Sequence, residues 1–339
     1  MTYRPSIASM SLGRAWLHNL VPKLDQAELH GFEGIEVFYE DIEYHTKQLF
    51  GTIDDENLIS AAENIRQLAD ERRLEIICLQ PFMHYEGLID REEHAKRITK
   101  LKLWFKIAKA LHTDTIQIPT NFLTEGVTSD LDTIVEDMII IADLGLKEEP
   151  VIRFAYENLC WGETFDTWEG VWSVVERVDR PNFGMCLDTF NIAGRVWADP
   201  VSPDGRISDR DADAALRESL ERMKKTICAE KVFYVQVVDA EKMRTPLVQG
   251  HTFHVEDQKP RMSWSRSARL FAFEEGGYLP VVEVLRTITG SDGLGYRGWI
   301  SMELFSRTMA DTRVECPNEH AMRGMESWKK IVEVMGWGS

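Results

Sequence analysis

The chain has 339 residues, 44% of them hydrophobic and 28% charged, the balance of a globular protein able to bury a sizeable core. A formal net charge of -17 argues against nucleic acid or an anionic membrane surface as a partner, because both need clustered Lys and Arg. No run approaches the roughly 18 apolar residues of a membrane span, and "MTYRPSIASMSLG" lacks the basic segment and long apolar core of a secretory leader. The five cysteines form no CxxC pair, and Cys78 and Cys186 sit in apolar runs; reduced thiols in a cytoplasmic protein are expected.

Short apolar runs alternate with segments of helical periodicity. "SIASMS" (6–11) and "GIEVFY" (34–39) are followed by an amphipathic stretch over 54–73 that opens acidic and closes basic, as the helix dipole prefers. "EIICLQP" (75–81) precedes a helix over 91–111, and "TIQIPT" (115–120) precedes one over 129–146. "RFAYENL" (153–159), a helix over 166–178, "FGMCLDT" (183–189) and a helix over 210–227 continue the pattern. "VFYVQVVD" (232–239) leads into a long polar excursion over about 240–277, then "GWISMELF" (298–305) and a last helix over 318–335. Several runs are apolar at nearly every position, as in strands covered on both faces. Eight such strands alternating with helices predict an α/β fold, a (β/α)8 TIM barrel, in one domain over 1–339. A doubly wound sheet fits less well, since the place for its glycine-rich phosphate loop holds "SMSLGRAW". A loop as long as the excursion is more often a functional lid than an accident.

In such a barrel the reactive groups sit at the C-terminal strand ends. The fifth run ends in Glu157, the sixth in Asp188, the seventh carries Gln236 and the eighth Glu303. Carboxylates converging there repel by roughly 4 kcal/mol per pair at about 4 Å and an effective dielectric near 20. Either some carry protons or a cation sits among them. Oxygen donors without a thiolate suit a hard divalent ion, Mg²⁺ or Mn²⁺ first, with Co²⁺ or Zn²⁺ as substitutes. The competing reading for any one position is an ion-pair partner or a helix cap, such as Asp188 ahead of "TFN".

These residues resemble the xylose-isomerase-like barrel superfamily, whose members hold one divalent metal with side chains from strands five to eight. Longer phrases sharpen the likeness: "GIEVFYEDI" (34–42), "ICLQPFMHYEGL" (77–88), "LDTFNIAGRVWADP" (187–200), "VFYVQVVDAEK" (232–242), "MSWSRSARLF" (262–271) and "RLFAFEEGGYLPV" (269–281). They resemble the fungal 3-dehydroshikimate dehydratases of quinate catabolism over nearly the full chain. The resemblance implies metal-dependent conversion of 3-dehydroshikimate to protocatechuate, with Glu157, Asp188, Gln236 and Glu303 as ligands. Bacterial relatives carry a histidine three places after the metal aspartate, a candidate base; here Asn191 stands there and cannot accept a proton near neutral pH, so it is expected to contact substrate.

The chemistry calls for a base at C4 and an acid at the leaving C5 oxygen. His84, in "QPFMHYEG", is the first choice because imidazole titrates near neutral pH. His251 and His254 in the long loop are rivals, and a glutamate of the metal set, Glu157 or Glu303, could double as base. Arg266 is the expected clamp for the substrate carboxylate, with Ser265 beside it, Arg269 in reserve and Arg14 as another option, since guanidinium matches carboxylate geometry. Glu36 and Tyr39 are expected to contact substrate hydroxyls. Two other readings stay open: a metal-dependent sugar or keto-polyol isomerase or epimerase, and a non-catalytic metal-dependent carbohydrate-binding barrel. In each case the partner is a small molecule, and a homodimer is one assembly open to the chain.

Overall fold

Strands that are apolar along their whole length need cover on both faces, and a closed barrel wrapped in helices supplies it. The computed structural model describes residues 3–338. β1 (Tyr3–Ala8), β2 (Gly34–Phe38), β3 (Glu75–Gln80), β4 (Thr115–Pro119), β5 (Arg153–Glu157), β6 (Phe183–Asp188) and β7 (Val232–Gln236) run parallel to one another. β8 (Asp239–Ala240) and β9 (Arg269–Leu270) form a small antiparallel ribbon, and β10 (Gly298–Met302) closes the barrel between β7 and β1. The seam runs in register from Tyr3 opposite Gly298 to Ile7 opposite Met302. β6 and β7 approach so closely that a Cβ on Gly184 would lie 2.4 Å from the Lys231 carbonyl oxygen.

The helices expected from periodicity form as α3 (Asp55–Glu71), α4 (Arg91–Ala110), α5 (Leu131–Gly145), α6 (Trp168–Val178), α8 (Ala212–Thr226) and α11 (Cys316–Met335). Aspartates start several of them: Asp54 accepts from the Asn57 amide, Asp90 from Glu92 and Glu93, and Asp130 from Thr133. Five more helices complete the shell: α1 (Leu20–His30), α2 (Tyr39–Phe50), α7 (Thr189–Val196), α9 (Pro260–Ala268) and α10 (Val281–Thr289).

Three boundaries differ from the sequence reading. The first strand begins at Tyr3, ahead of Ser6, with Pro5 inside it, while Ser9–Leu12 turn into a 3-10 helix. Tyr39 begins α2 and turns outward, stacking on Trp104 at 4.8 Å between ring centroids. The excursion after β7 is not structureless. It carries β8, α9 and β9, and Asp239 pins it by accepting from the Ala240, Tyr278 and Leu279 amides at 2.7, 3.1 and 2.8 Å.

Beside the mouth of the barrel, Lys23 of α1 and Asp41 of α2 form an ion pair at 2.7 Å with both side chains buried. Ser9 donates to the same carboxylate at 2.6 Å, tying the end of β1 to both helices. Removing one member strands the other charge away from water, at a cost of about 3–5 kcal/mol. Lys23→Met is therefore expected to lower stability by about that amount in chemical unfolding, and Lys23→Met with Asp41→Leu to recover part of it. A single variant as stable as the parent chain would contradict this account of the pair.

Candidate functional site

Parallel strands in one barrel deliver their last residues to one rim, so the strand-end residues meet by topology. Glu157 ends β5, Asp188 ends β6, Gln236 ends β7 and Glu303 follows β10; none is more than 3% exposed. One oxygen from each of Glu157, Asp188 and Glu303 lies within 4.8 Å of the others. A fourth carboxylate, Glu36 of β2, is buried alongside them.

Amides hold these acids apart. Asn191 on α7 donates to Glu157 Oε1 and Asp188 Oδ2, both at 2.8 Å, while its own oxygen accepts from the Cys160 amide at 3.0 Å. Gln117 of β4 donates to the other Glu157 oxygen. Gln236 spends its amide hydrogens on Glu36 and Glu303, each at 2.9 Å. Gln80 of β3 donates to Glu36 at 2.5 Å, and Ser301 of β10 donates to its other oxygen. Asp188 also caps α7, accepting from the Phe190 amide at 2.8 Å, so the competing reading of Asp188 as a cap holds alongside its place in the cluster.

One buried cation is present among these groups. Arg269, 1% exposed, reaches Asp188 at 2.9 Å and Glu303 at 3.2 Å, donates to Ser265 Oγ at 3.0 Å and lies 4.3 Å from the Phe190 ring centre. Four carboxylates against one guanidinium leave a large negative excess if all are ionised. The carboxyls accordingly shift upward. Burial raises Glu36 to about 7, and burial opposed by Arg269 raises Glu303 to about 8. Burial followed by the Glu303 and Asp188 charges holds Glu157 well above the usual range, and burial also raises Asp188 against the pull of Arg269.

The donor set fits a divalent ion. With its two hydrogens committed to carboxylates, Gln236 is left with an Oε1 that is buried and has no hydrogen-bond partner. A buried amide oxygen without a donor is costly unless something positive accepts it. Three carboxylate oxygens and this carbonyl oxygen are hard ligands of the kind Mg²⁺ and Mn²⁺ take.

Above the acids opens a cavity of about 170 Å³ lined by Glu157, Glu303, Gln80, Gln117, Arg266 and Arg269, with aromatic walls. A larger hollow of about 520 Å³ lies at the opposite mouth beside Trp299 and Arg153, away from every strand-end acid. The chemistry belongs with the smaller one, because the carboxylates are there.

The remaining expected residues distribute as follows. Arg266 and Ser265, from α9, line the cavity. Arg266 makes no hydrogen bond or ion pair among the described residues, and burial together with the nearby Arg14 charge pushes its pKa down. Arg14 packs against Trp16 at 5.3 Å, with Nε buried and unpartnered. Arg269, held in reserve for the substrate carboxylate, is engaged by Asp188 and Glu303. Glu36 lies in the barrel interior with its oxygens taken up by amides and a hydroxyl, and Tyr39 packs outward on Trp104. His84 has its Nδ1 3.2 Å from Asn121 Oδ1 and its ring against Phe122; like His251 and His254, it is not among the residues lining the cavity. Gln80 and Gln117 escaped the sequence reading, although each, like Gln236, is an amide interrupting an apolar strand.

Among the described residues no helix is long and apolar enough to cross a membrane. The profile of the xylose isomerase-like TIM barrel family matches residues 24–331. A Neurospora crassa protein named 3-dehydroshikimate dehydratase is 50% identical over 98% of this chain and 94% of its own length. A Pseudomonas aeruginosa protein of the same name is 28% identical over 89% of this chain, which spans 38% of that longer protein. The crystal structure of the IOLI protein with a bound zinc atom superposes with a TM-score of 0.68 at 15% identity, covering 98% of both chains. This chain belongs to the xylose isomerase-like TIM barrel family.

Proposed function

We propose that this chain dehydrates 3-dehydroshikimate to protocatechuate. The observation that carries the reading is the 50% identity, over nearly the whole of both chains, to the Neurospora crassa protein of that name. The site has the matching chemistry: hard oxygen donors, the uncommitted guanidinium of Arg266 and aromatic walls.

Glu157, Asp188, Gln236 and Glu303 would hold one divalent ion, Mg²⁺ or Mn²⁺ in first place, which when bound draws electron density from the substrate ketone. Asn191 and Gln117 fix the orientation of Glu157, and Arg269 and Gln236 fix that of Glu303. Arg266 is the clamp for the substrate carboxylate: it lines the cavity and has no acidic partner to surrender. Arg14 adds a second positive charge nearby. The five cysteines are free and four are buried, which suits a reducing, cytoplasmic setting.

Three outcomes are expected. Stripped with a chelator, the protein should lose the ultraviolet signal of the catechol product and regain it with Mn²⁺ or Mg²⁺, while Glu303→Gln should cut kcat by on the order of 10²–10³ with the fold intact. Near-full turnover by that variant would contradict the role of Glu303. Arg266→Ala should lower kcat/KM by on the order of 10², mostly through KM, with Arg266→Lys in between. Unchanged KM in steady-state assays would remove Arg266 from carboxylate binding.

A further inference from the structure

The dehydration needs a group that removes the C4 proton, and the cavity narrows the choice. This step rests on the reading of 3-dehydroshikimate as substrate. No histidine lines the cavity, and the carboxylates that do are Glu40, Glu157 and Glu303. Both oxygens of Glu157 are occupied, by Asn191 and Gln117. Those of Glu303 are occupied by Gln236 and Arg269. Glu40, on the first turn of α2, differs. It forms no ion pair among the described residues, and its Oε2 is buried without a hydrogen-bond partner. A carboxylate that lines the substrate cavity and is engaged by no other side chain among the described residues is available to take a proton.

We propose that Glu40 is the catalytic base for the dehydration, taking the C4 proton and returning it to the departing C5 oxygen. The C4–H bond breaks, its proton goes to the Glu40 carboxylate and its electron pair forms the enolate of the C3 ketone. Collapse of the enolate breaks the C5–O bond, and the oxygen leaves with the Glu40 proton as water, restoring the carboxylate. Loss of a C6 proton and protonation of the C3 oxygen then complete the aromatic ring, and the sum is substrate minus one water. The charges facing Glu40 are Asp41 and Glu43 on its own helix and Lys100 from α4. Burial, opposed by a hydrogen bond from its own backbone amide and by Lys100 and aided by Asp41 and Glu43, lifts the carboxyl above its ordinary range, in the direction that favours a base.

The test uses the full-length, metal-loaded protein. Glu40→Gln should lower kcat for protocatechuate formation by about 10²–10⁴, while substrate KM and the Mn²⁺-induced rise in melting temperature stay within about threefold and a degree or two of the parent. Added formate should restore at least about tenfold of the activity lost in Glu40→Ala, because a small carboxylate can enter the space left. If Glu40→Gln turns over normally, or if it loses substrate and Mn²⁺ binding together with kcat, Glu40 is not the base. A parent chain that forms no protocatechuate overturns the substrate reading itself, and this inference with it.

Discussion

Like charges buried together must be compensated, and this requirement organises the rim of the barrel. Glu36, Glu157, Asp188 and Glu303 are withdrawn from water within or just past strands of the one barrel. Each unscreened pair opposes folding by several kcal/mol. The structure meets the problem in three ways: carboxyl pKa values raised by burial, amide hydrogens from Gln80, Gln117, Asn191 and Gln236, and the guanidinium of Arg269. None of these accounts for the bare Oε1 of Gln236. A cation does.

Fold and site are therefore one arrangement. The parallel register that seals β1 against β10 and β6 against β7 also brings the four side chains to a common height. The cover comes from the segment after β7. Asp239 pins that segment at one end, and α9 delivers Ser265 and Arg266 to the cavity. Arg261, on the same helix, donates to the carbonyls of Gly194 and Ala198, so α9 is fastened to the C-terminal end of α7, the helix whose first turn carries Asn191. A substitution in this fastening should disturb the proposed carboxylate clamp before it disturbs the acids below.

Much of this was legible in the sequence, for a physical reason. A polar residue that interrupts a run otherwise fit for a barrel interior has to serve some purpose, and Glu157, Asp188, Gln236 and Glu303 each interrupt one. Gln80 and Gln117 carry the same mark but are uncharged, and in a one-dimensional reading an amide does not demand a counter-charge. Of the five helices missing from the sequence reading, two begin directly after a strand end, α2 at Tyr39 and α7 at Thr189, and α9 lies in a polar stretch. The engagement of Arg269 could not be read at all. Its partners lie 81 and 34 residues away, and only the folding of the segment after β7 brings them together. Histidine chemistry drew the eye to His84, yet exposure to the cavity depends on backbone direction, and His84 adopts a left-handed conformation at φ 57° beside Asn121.

The central claim is that these oxygens surround a divalent ion. Anomalous diffraction from a crystal soaked in Mn²⁺ addresses it most directly. The account predicts one strong peak per chain, bounded by carboxylate oxygens of Glu157, Asp188 and Glu303 and by Gln236 Oε1. A map without a peak there, with Arg269 alone bridging Asp188 and Glu303, would contradict it.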